Sequence, residues 1–259
     1  MKKFSSSILV LVFITLVLNF NVFASTGNIT GEKIIYSADE ITDINELEKR
    51  ATLGITDAED LMFTSNITAA KILNKNEKLQ LSPVKYTVQK IKTVRYKNGL
   101  YKDSLVATAF VTNSLNYYEE KYDKTISVKS AITVYYDHYY WDDVLDYDFY
   151  DIIKSGGKIV QIDDSQVKVS SLEVLADNYG KRYSDPNPNT FISVGGWMDK
   201  YTKNSPTIGT WYYLTDGEYD TWYNVLPVGA HVSSKVTAKL IRGTSNWTVE
   251  IEFLKGTFI

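Results

Sequence analysis

From Val84 onward, apolar and polar residues alternate with a period of two over long stretches of the chain. Two such stretches flank Asn98-Gly99, a typical tight-turn pair. The longest stretch spans residues 126–140, where the even-numbered positions form one face: Ile126, Val128, Ser130, Ile132, Val134, Tyr136, His138 and Tyr140. Because successive side chains of a strand point to opposite faces, this pattern predicts half-buried antiparallel strands joined by turns.

The alternation slips by one residue at Ser170-Ser171. Apolar residues occupy odd positions before this point and even positions after it: Val167 and Val169, then Leu172, Val174 and Ala176. A regular strand would turn half of these side chains to water, so the slip predicts a β-bulge at the serine pair.

Near the C-terminus, two alternating stretches flank residues 243–246, which we interpret as a four-residue loop. Such a loop pairs Leu240 with Val249, Ala238 with Ile251, Val236 with Phe253 and, on the other face, Lys239 with Glu250. Apolar side chains then meet apolar ones and opposite charges meet, which predicts a hairpin in this register.

Asp216-Gly217 is a strong two-residue hairpin signal between two aromatic stretches. This turn places Trp211 opposite Trp222 and Tyr213 opposite Asp220, all on one face. Flat rings beside a carboxylate are suited to binding the apolar face of a sugar, although one face of any hairpin also packs on a core. Trp211, Tyr213, Asp220 and Trp222 are therefore candidate ligand-binding residues, and packing in the core remains the alternative.

Residues 25–80 follow a different pattern, with few aromatics. The spacing of Ile41, Ile44 and Leu47 is helical, and two pairs match the capping box: Asp43 with Glu46, and Thr56 with Glu59. The pattern predicts one or two short helices in a lead segment, and the dibasic pair at 49–50 makes a removable pro-segment an alternative.

No helical pattern follows this lead, and no internal repeat is visible. We therefore expect a mainly β fold, an antiparallel β-sandwich of about ten strands over residues 81–259 with a short helical N-terminal lead.

The first 24 residues predict a secretory signal peptide. Lys2 and Lys3 precede an apolar run over residues 8–20, and Val22-Phe23-Ala24 has the small residues of a cleavage site. The run is shorter than the roughly 20 residues of a membrane span, so we expect cleavage after Ala24, an extracellular protein and no transmembrane span in the mature form.

Composition excludes several classes of function. The 259 residues contain no cysteine, which removes disulfides and cysteine-based metal or nucleophile sites. The formal net charge of -3 argues against nucleic-acid binding, which requires clustered Lys and Arg. The 20 tyrosines favour β-structure. Because the chain has no cysteine, we expect the stability of the secreted form to come from its core alone.

Candidate chemistry is sparse. His138 lies on the apolar face of its strand and His231 begins the penultimate strand, so neither is expected to be catalytic. Residues 135–151 combine aromatics with carboxylates, among which Asp142, Asp143, Asp146 and Asp148 are candidate ligands for Ca²⁺. Their spacing is not that of an EF-hand, and a solvated acidic loop is the alternative.

The length, the MKK…VFA leader, the absence of cysteine and a Tyr-rich β body with GGKIVQIDDSQVKVSSLEVL resemble the large secreted bacteriocins of Gram-positive bacteria, the geobacillin-like family. The resemblance implies antibacterial activity and assigns no residue. We therefore expect a secreted, non-enzymatic effector acting at the envelope of other cells. A carbohydrate- or cell-wall-binding module is the first alternative, with polysaccharide as its partner. A secreted glycosidase is the second, because it needs only two facing carboxylates.

Overall fold

The computed structural model describes residues 32–58, 62–69, 77–119, 122–141, 144–183, 191–215, 222–224 and 230–256. These residues form one helix, α1 (Ile44–Leu53), and thirteen strands. The strands are β1 (Lys33–Ser37), β2 (Met62–Ala69), β3 (Glu77–Leu81), β4 (Lys85–Arg95), β5 (Leu100–Glu119), β6 (Tyr122–Trp141), β7 (Val144–Ile162), β8 (Lys168–Tyr183), β9 (Phe191–Asn204), β10 (Tyr212–Thr215), β11 (Trp222–Asn224), β12 (His231–Arg242) and β13 (Ser245–Gly256).

The strands form two antiparallel sheets packed face to face. Sheet 1 has the order β1-β4-β5-β6-β7, with β3 beside β5 and β10 beside β7. Sheet 2 has the order β9-β8-β12-β13-β2. Strand β11 joins them, because it pairs with β7 on one side and with β8 on the other. The predicted mainly β sandwich with a short N-terminal helix is confirmed, with more strands than the ten or so expected.

Both sheets contribute fully buried side chains to the core between them, among them Val134 of sheet 1 and Val236 of sheet 2. The indole Nε1–H of Trp247 on β13 donates a hydrogen bond to Oδ1 of Asn113 on β5, at 3.0 Å. Gly157 on β7 faces Val236 so closely that an added Cβ would lie 3.0 Å from both of its methyl groups. The two sheets therefore pack at close range, and one buried polar contact ties them together.

The predicted alternation and bulge are both confirmed. Even-numbered residues of β6 from Ile126 to Tyr136 are buried. In the β8–β12 ladder, Ser171 pairs with Lys239 and Val169 pairs with Leu240, so Ser170 is the extra residue. The Ser170 hydroxyl donates to the carbonyl oxygen of Lys239 at 3.1 Å. This gives a hydrogen bond to a backbone group at the point where the bulge interrupts the ladder.

The C-terminal hairpin forms, but its predicted register is wrong by two residues. Leu240 pairs with Trp247, Ala238 with Val249 and Val236 with Ile251, while Lys239 lies opposite Thr248 and Glu250 opposite Thr237. The turn consists of Gly243 and Thr244 alone, and Gly243 has a φ of 56°, a left-handed conformation that glycine adopts without strain. A shift of two residues keeps every side chain on its predicted face.

The predicted hairpin around Asp216-Gly217 is also wrong. β10 and β11 both pair antiparallel with β7, β10 at Lys154–Gly157 and β11 at Phe149 and Tyr150. They therefore follow one another along the same edge of β7, and Trp211 does not lie opposite Trp222, which pairs with Tyr183. Residues 216–221, including Asp220, lie outside the described residues.

The lead segment contains the predicted helix and also three strands. Asp43 is the N-cap of α1, and its carboxylate accepts from the backbone N–H groups of Asn45 and Glu46. β1, β2 and β3 pair with β4, β13 and β5, so the segment contributes to both sheets. Thr56, the second predicted cap, begins no helix within the described residues.

Residues 1–31, with the predicted signal peptide and its cleavage site, lie outside the described residues. Within the described ranges, no helix is long and apolar enough to cross a membrane.

Candidate functional site

The outer face of sheet 1 is partly covered by α1. Leu47 and Ala51 of the helix pack on Phe110 of β5 and Ala131 of β6, and Trp211, just before β10, packs against the same cluster. Between α1 and β10 a narrow cavity reaches the sheet, and Val106, Thr108 and Thr133 on its floor are each at most 4% exposed. This leaves a groove on the outer face, with one wall from the lead segment and the other from a stretch of chain more than 150 residues later.

We call this cavity the outer groove, and its volume is about 80 Å³. It is lined by the lead segment on one side, by β4, β5 and β6 below, and by aromatics on the other side: Glu40, Thr42 and Leu47; Gln89, Val106, Thr108 and Thr133; and Tyr135, Trp211 and Tyr213. Since pockets that enclose drug-sized ligands measure roughly 300–1,000 Å³, the outer groove accepts only part of a ligand. The rest must lie across the open face.

Three rings form the aromatic wall. The rings of Trp211 and Tyr213 stack with centroids 6.1 Å apart and an interplanar angle of 23°. Tyr135 meets Tyr213 edge to face at 6.5 Å. Tyr213 is 36% exposed and Trp211 is half-buried, so both contribute to packing and still present surface to solvent.

A glycine lets the Tyr213 ring lie close to the sheet. Thr133, Gly156 and Tyr213 lie in one row across β6, β7 and β10. A Cβ at Gly156 would stand 2.6 Å from Cε1 of Tyr213, well inside van der Waals contact. The bare backbone at this position therefore sets the height of the ring above the sheet.

The polar groups of the outer groove are ordered by hydrogen bonds. The Tyr135 hydroxyl donates to Oε1 of Glu40 at 2.7 Å, which fixes the lead segment to the sheet. Burial and this contact with Glu40 raise the pKa of Tyr135, so its hydroxyl remains protonated over the physiological range. The Thr108 and Thr133 hydroxyls lie 3.2 Å apart on the floor.

Two lysines of β7 border the aromatic wall. The ammonium of Lys154 lies 3.9 Å from the ring centroid of Tyr135 and 4.4 Å from that of Tyr213, and the ammonium of Lys158 lies 5.6 Å from Trp211. These are cation–π distances. Burial lowers the pKa of Lys158, because it disfavours the charged form.

This arrangement suits a ligand with a flat apolar face and a polar rim. The stacked rings can cover the face, while the ammonium groups and the Glu40 carboxylate can meet hydroxyl groups at the rim. Saccharides have this combination. Glu40 is the one carboxylate among the described residues that line the outer groove, whereas glycoside hydrolysis needs a facing pair.

The structure brings two of the predicted ligand-binding residues together, Trp211 and Tyr213. The backbone of Trp222 lies in β11 and pairs with β8, so it is not their cross-strand partner. Asp220 lies outside the described residues.

The calcium hypothesis remains a prediction. Asp142 and Asp143 lie outside the described residues. The backbone of Asp146 and Asp148 lies in β7, and their side chains are not among the described ones. Among the described residues, no three His, Asp or Glu side chains form a group that could hold a metal ion.

The two histidines lie away from the outer groove. The imidazole of His138 stacks on Tyr150, with ring centroids 4.5 Å apart and an interplanar angle of 6°. His231 Nε2 lies 3.5 Å from Oδ2 of Asp177 on sheet 2. Both are half-buried, and so His231 is less exposed than its place at the start of the strand suggested.

Sequence reasoning missed Glu40, Tyr135, Lys154 and Lys158, which complete the site. Lys154 and Lys158 frame a Gly-Gly pair at 156 and 157, and paired glycines inside a strand often mark a close approach by other chain segments. That signal was present in the sequence. No local sequence signal connects Glu40 or Tyr135 to the site.

Comparison with known proteins gives no relative from which to transfer a role: no family model, curated protein or solved structure matches the chain.

Proposed function

We propose that this is a secreted, non-enzymatic protein that acts at the envelope of other cells by binding carbohydrate at the outer groove. The observation that carries the proposal is the stacked pair of Trp211 and Tyr213 on the wall of a shallow groove with a polar floor. Aromatic faces bind the apolar faces of sugars, and neighbouring polar groups provide orientation.

The shape of the outer groove favours a polymer over a small free ligand. A cavity of about 80 Å³ encloses too little of a ligand to hold it by burial. A glycan chain can instead lie across the open face and contact the rings and α1 at once. Envelope polysaccharides of other bacteria offer such chains in repeated copies, which increases retention through avidity.

Binding and catalysis make different demands on this site. A glycosidase would place two carboxylates about 5–9.5 Å apart across the sugar. Among the described lining residues, Glu40 stands alone, and its Oε1 already accepts a hydrogen bond from Tyr135. This supports a binding role over hydrolysis.

The test is retention of the mature protein, starting at Ser25, on insoluble bacterial cell-wall glycan, with wild type compared to Tyr213→Ala. Tyr179→Ala is the matched control. Tyr179 is also an exposed tyrosine beside a cross-strand glycine, Gly196, but it lies on the outer face of sheet 2. We expect Tyr213→Ala to lose about tenfold in affinity, the equivalent of roughly 1.4 kcal/mol, and Tyr179→Ala to bind like wild type.

Equal retention of the two variants would exclude the outer groove as the binding surface, and release of reducing sugar would favour hydrolysis. Spotting the protein on lawns of related bacteria tests whether binding leads to killing, as the resemblance to bacteriocins implies. N-terminal sequencing of secreted protein tests the exported form, for which we expect Ser25 as the first residue.

A further inference from the structure

Lys154 and Lys158 give the outer groove a positive border on a protein whose formal net charge is -3. Within the described residues, neither lysine makes an ion pair. A neighbour on the same face behaves differently, because the Lys129 ammonium lies 2.7 Å from Oε1 of Glu48. The two lysines of the groove are thus held by aromatic rings, with no described carboxylate to neutralise them.

Lys158 carries the stronger argument because it is only 9% exposed. Burying an ammonium without a counter-charge costs free energy, which is why buried lysines are usually paired. An apolar side chain of similar length would fill the same space beside Trp211 at lower cost. The position therefore holds a positive charge that packing alone does not require.

Charge across the outer groove is also asymmetric. Glu40 lies on the wall formed by the lead segment, where its carboxylate accepts the Tyr135 hydroxyl. Lys154 and Lys158 lie on the β7 side, next to the rings. A negative group on a ligand is attracted to the β7 side and repelled from the lead segment, which orients the ligand across the groove.

We infer that the outer groove selects an anionic glycan, whose carboxylate or phosphate groups bind to Lys154 and Lys158 at the two ends of the ring pair while Trp211 and Tyr213 contact the sugar. This inference rests on the proposed function and specifies its ligand class. Negative charge on the ligand supplies the partner that both ammonium groups lack among the described residues, and the water-poor surroundings of Lys158 strengthen that contact.

The test uses two polymers with the same sugar backbone, polygalacturonate and its fully methyl-esterified form, in which each carboxylate is replaced by a neutral methyl ester. We expect wild type to bind the free acid at least tenfold more tightly, with an affinity that falls as salt is added. Phosphorylated dextran, a sugar polymer, serves as the phosphate arm. Binding of the carboxylate polymer alone or of the phosphate polymer alone identifies which anion the site takes, and each result supports the inference.

Lys158→Met is the diagnostic variant, because methionine keeps most of the length of the side chain and removes the charge. We expect it to lose the preference for the free acid, to keep its binding of the methyl ester and to melt at the same or a higher temperature than wild type. Lys200→Met is the control, since Lys200 is exposed on sheet 2 and lies 3.8 Å from Glu173. It should retain the preference of wild type.

The outcomes separate the two proposals. Equal binding of the acid and the ester by wild type overturns the anionic selection and leaves carbohydrate binding in place. A lower melting temperature of Lys158→Met, with the acid preference intact, assigns Lys158 a structural role and also overturns the inference. Failure to bind any of the three polymers or cell-wall glycan overturns the proposed function itself.

Discussion

Replacing Gly156 by alanine changes the shape of the outer groove without removing any of the side chains that would contact a ligand. The new Cβ would stand 2.6 and 2.7 Å from two ring carbons of Tyr213, and 3.0 Å from Cγ2 of Thr133. Ordinary contacts begin near 3.4 Å, so the ring must move outward by about 0.8 Å. Because Tyr213 is partly exposed, it can tilt toward solvent, which breaks its stack on Trp211.

Two opposing terms set the stability of Gly156→Ala. Alanine reduces the conformational entropy of the unfolded chain, which contributes roughly 0.4–1 kcal/mol in its favour. Overpacking typically costs 1–3 kcal/mol, and the mobile edge of the tyrosine ring places this site near the lower end. We expect a net loss of about 1 kcal/mol, a fall in melting temperature of roughly 2–4 °C for a chain of this size.

The expected effect on binding is larger than the effect on stability. Losing the stack and the contact of Lys154 with Tyr213 should weaken glycan binding about as much as Tyr213→Ala does, by roughly tenfold. Gly195→Ala on β9 is the matched control, because an added Cβ there meets no atom within 4 Å. Isothermal titration at a temperature well below both transitions measures the affinities. An affinity of Gly156→Ala within twofold of wild type would refute the role assigned to the ring position.

Four further substitutions test the fold, each by urea unfolding. Ile251→Asp places a charge in the core and should cost more than about 4 kcal/mol, whereas Glu250→Gln on the outer face should cost less than about 0.5; equal losses would contradict the face assignment. Asn113→Ala removes the described acceptor of the buried Trp247 indole N–H and should cost about 1–3 kcal/mol; an unchanged midpoint would show that the cross-sheet hydrogen bond contributes nothing. Asp43→Ala removes the cap of α1 and should cost about 0.5–2 kcal/mol of stability. It should also weaken glycan binding, because α1 forms one wall of the outer groove. Full affinity would show that α1 does not contribute to binding.

Face assignment was predictable from the sequence because the side-chain period of a strand is two. The alternation in β6 and the slip at Ser170 both follow from which side chains must avoid water. The same period of two made the register of β12 against β13 unpredictable. A shift of two residues between β12 and β13 keeps Ile251 inside and Glu250 outside, so the apolar pattern does not distinguish a two-residue turn from a four-residue loop.

The pairing of β10 and β11 with β7 overrides a local turn signal. Asp216-Gly217 favours a hairpin when only its neighbours are considered, but the edge of β7 offers hydrogen-bond partners to both strands in succession. The Gly-Gly pair of β7 makes this edge accessible, because Tyr213 can lie over Gly156.

The candidate site was predictable only in part. Trp211 and Tyr213 stand out because aromatics cluster around them in the sequence. Glu40, Tyr135 and Lys158 join them through strand order, since the lead segment, β6 and β7 become neighbours only when the sheet is assembled. A buried lysine that has no ion-pair partner among the described residues is visible in three dimensions and has no signature in a single sequence.

A glycan that contacts Trp211 at the outer groove must change the surroundings of its indole ring, and the indole N–H resonances of the protein report that change. The chain has five tryptophans, whose ¹⁵N-labelled indole groups can be assigned by single Trp→Phe variants and followed while oligogalacturonate is added. We predict that the Trp211 resonance shifts in a saturable way. The resonance of Trp247, which is buried in the core and hydrogen-bonded to Asn113, should stay in place. A Trp211 resonance that does not move while another indole shifts would contradict the account and place the ligand elsewhere.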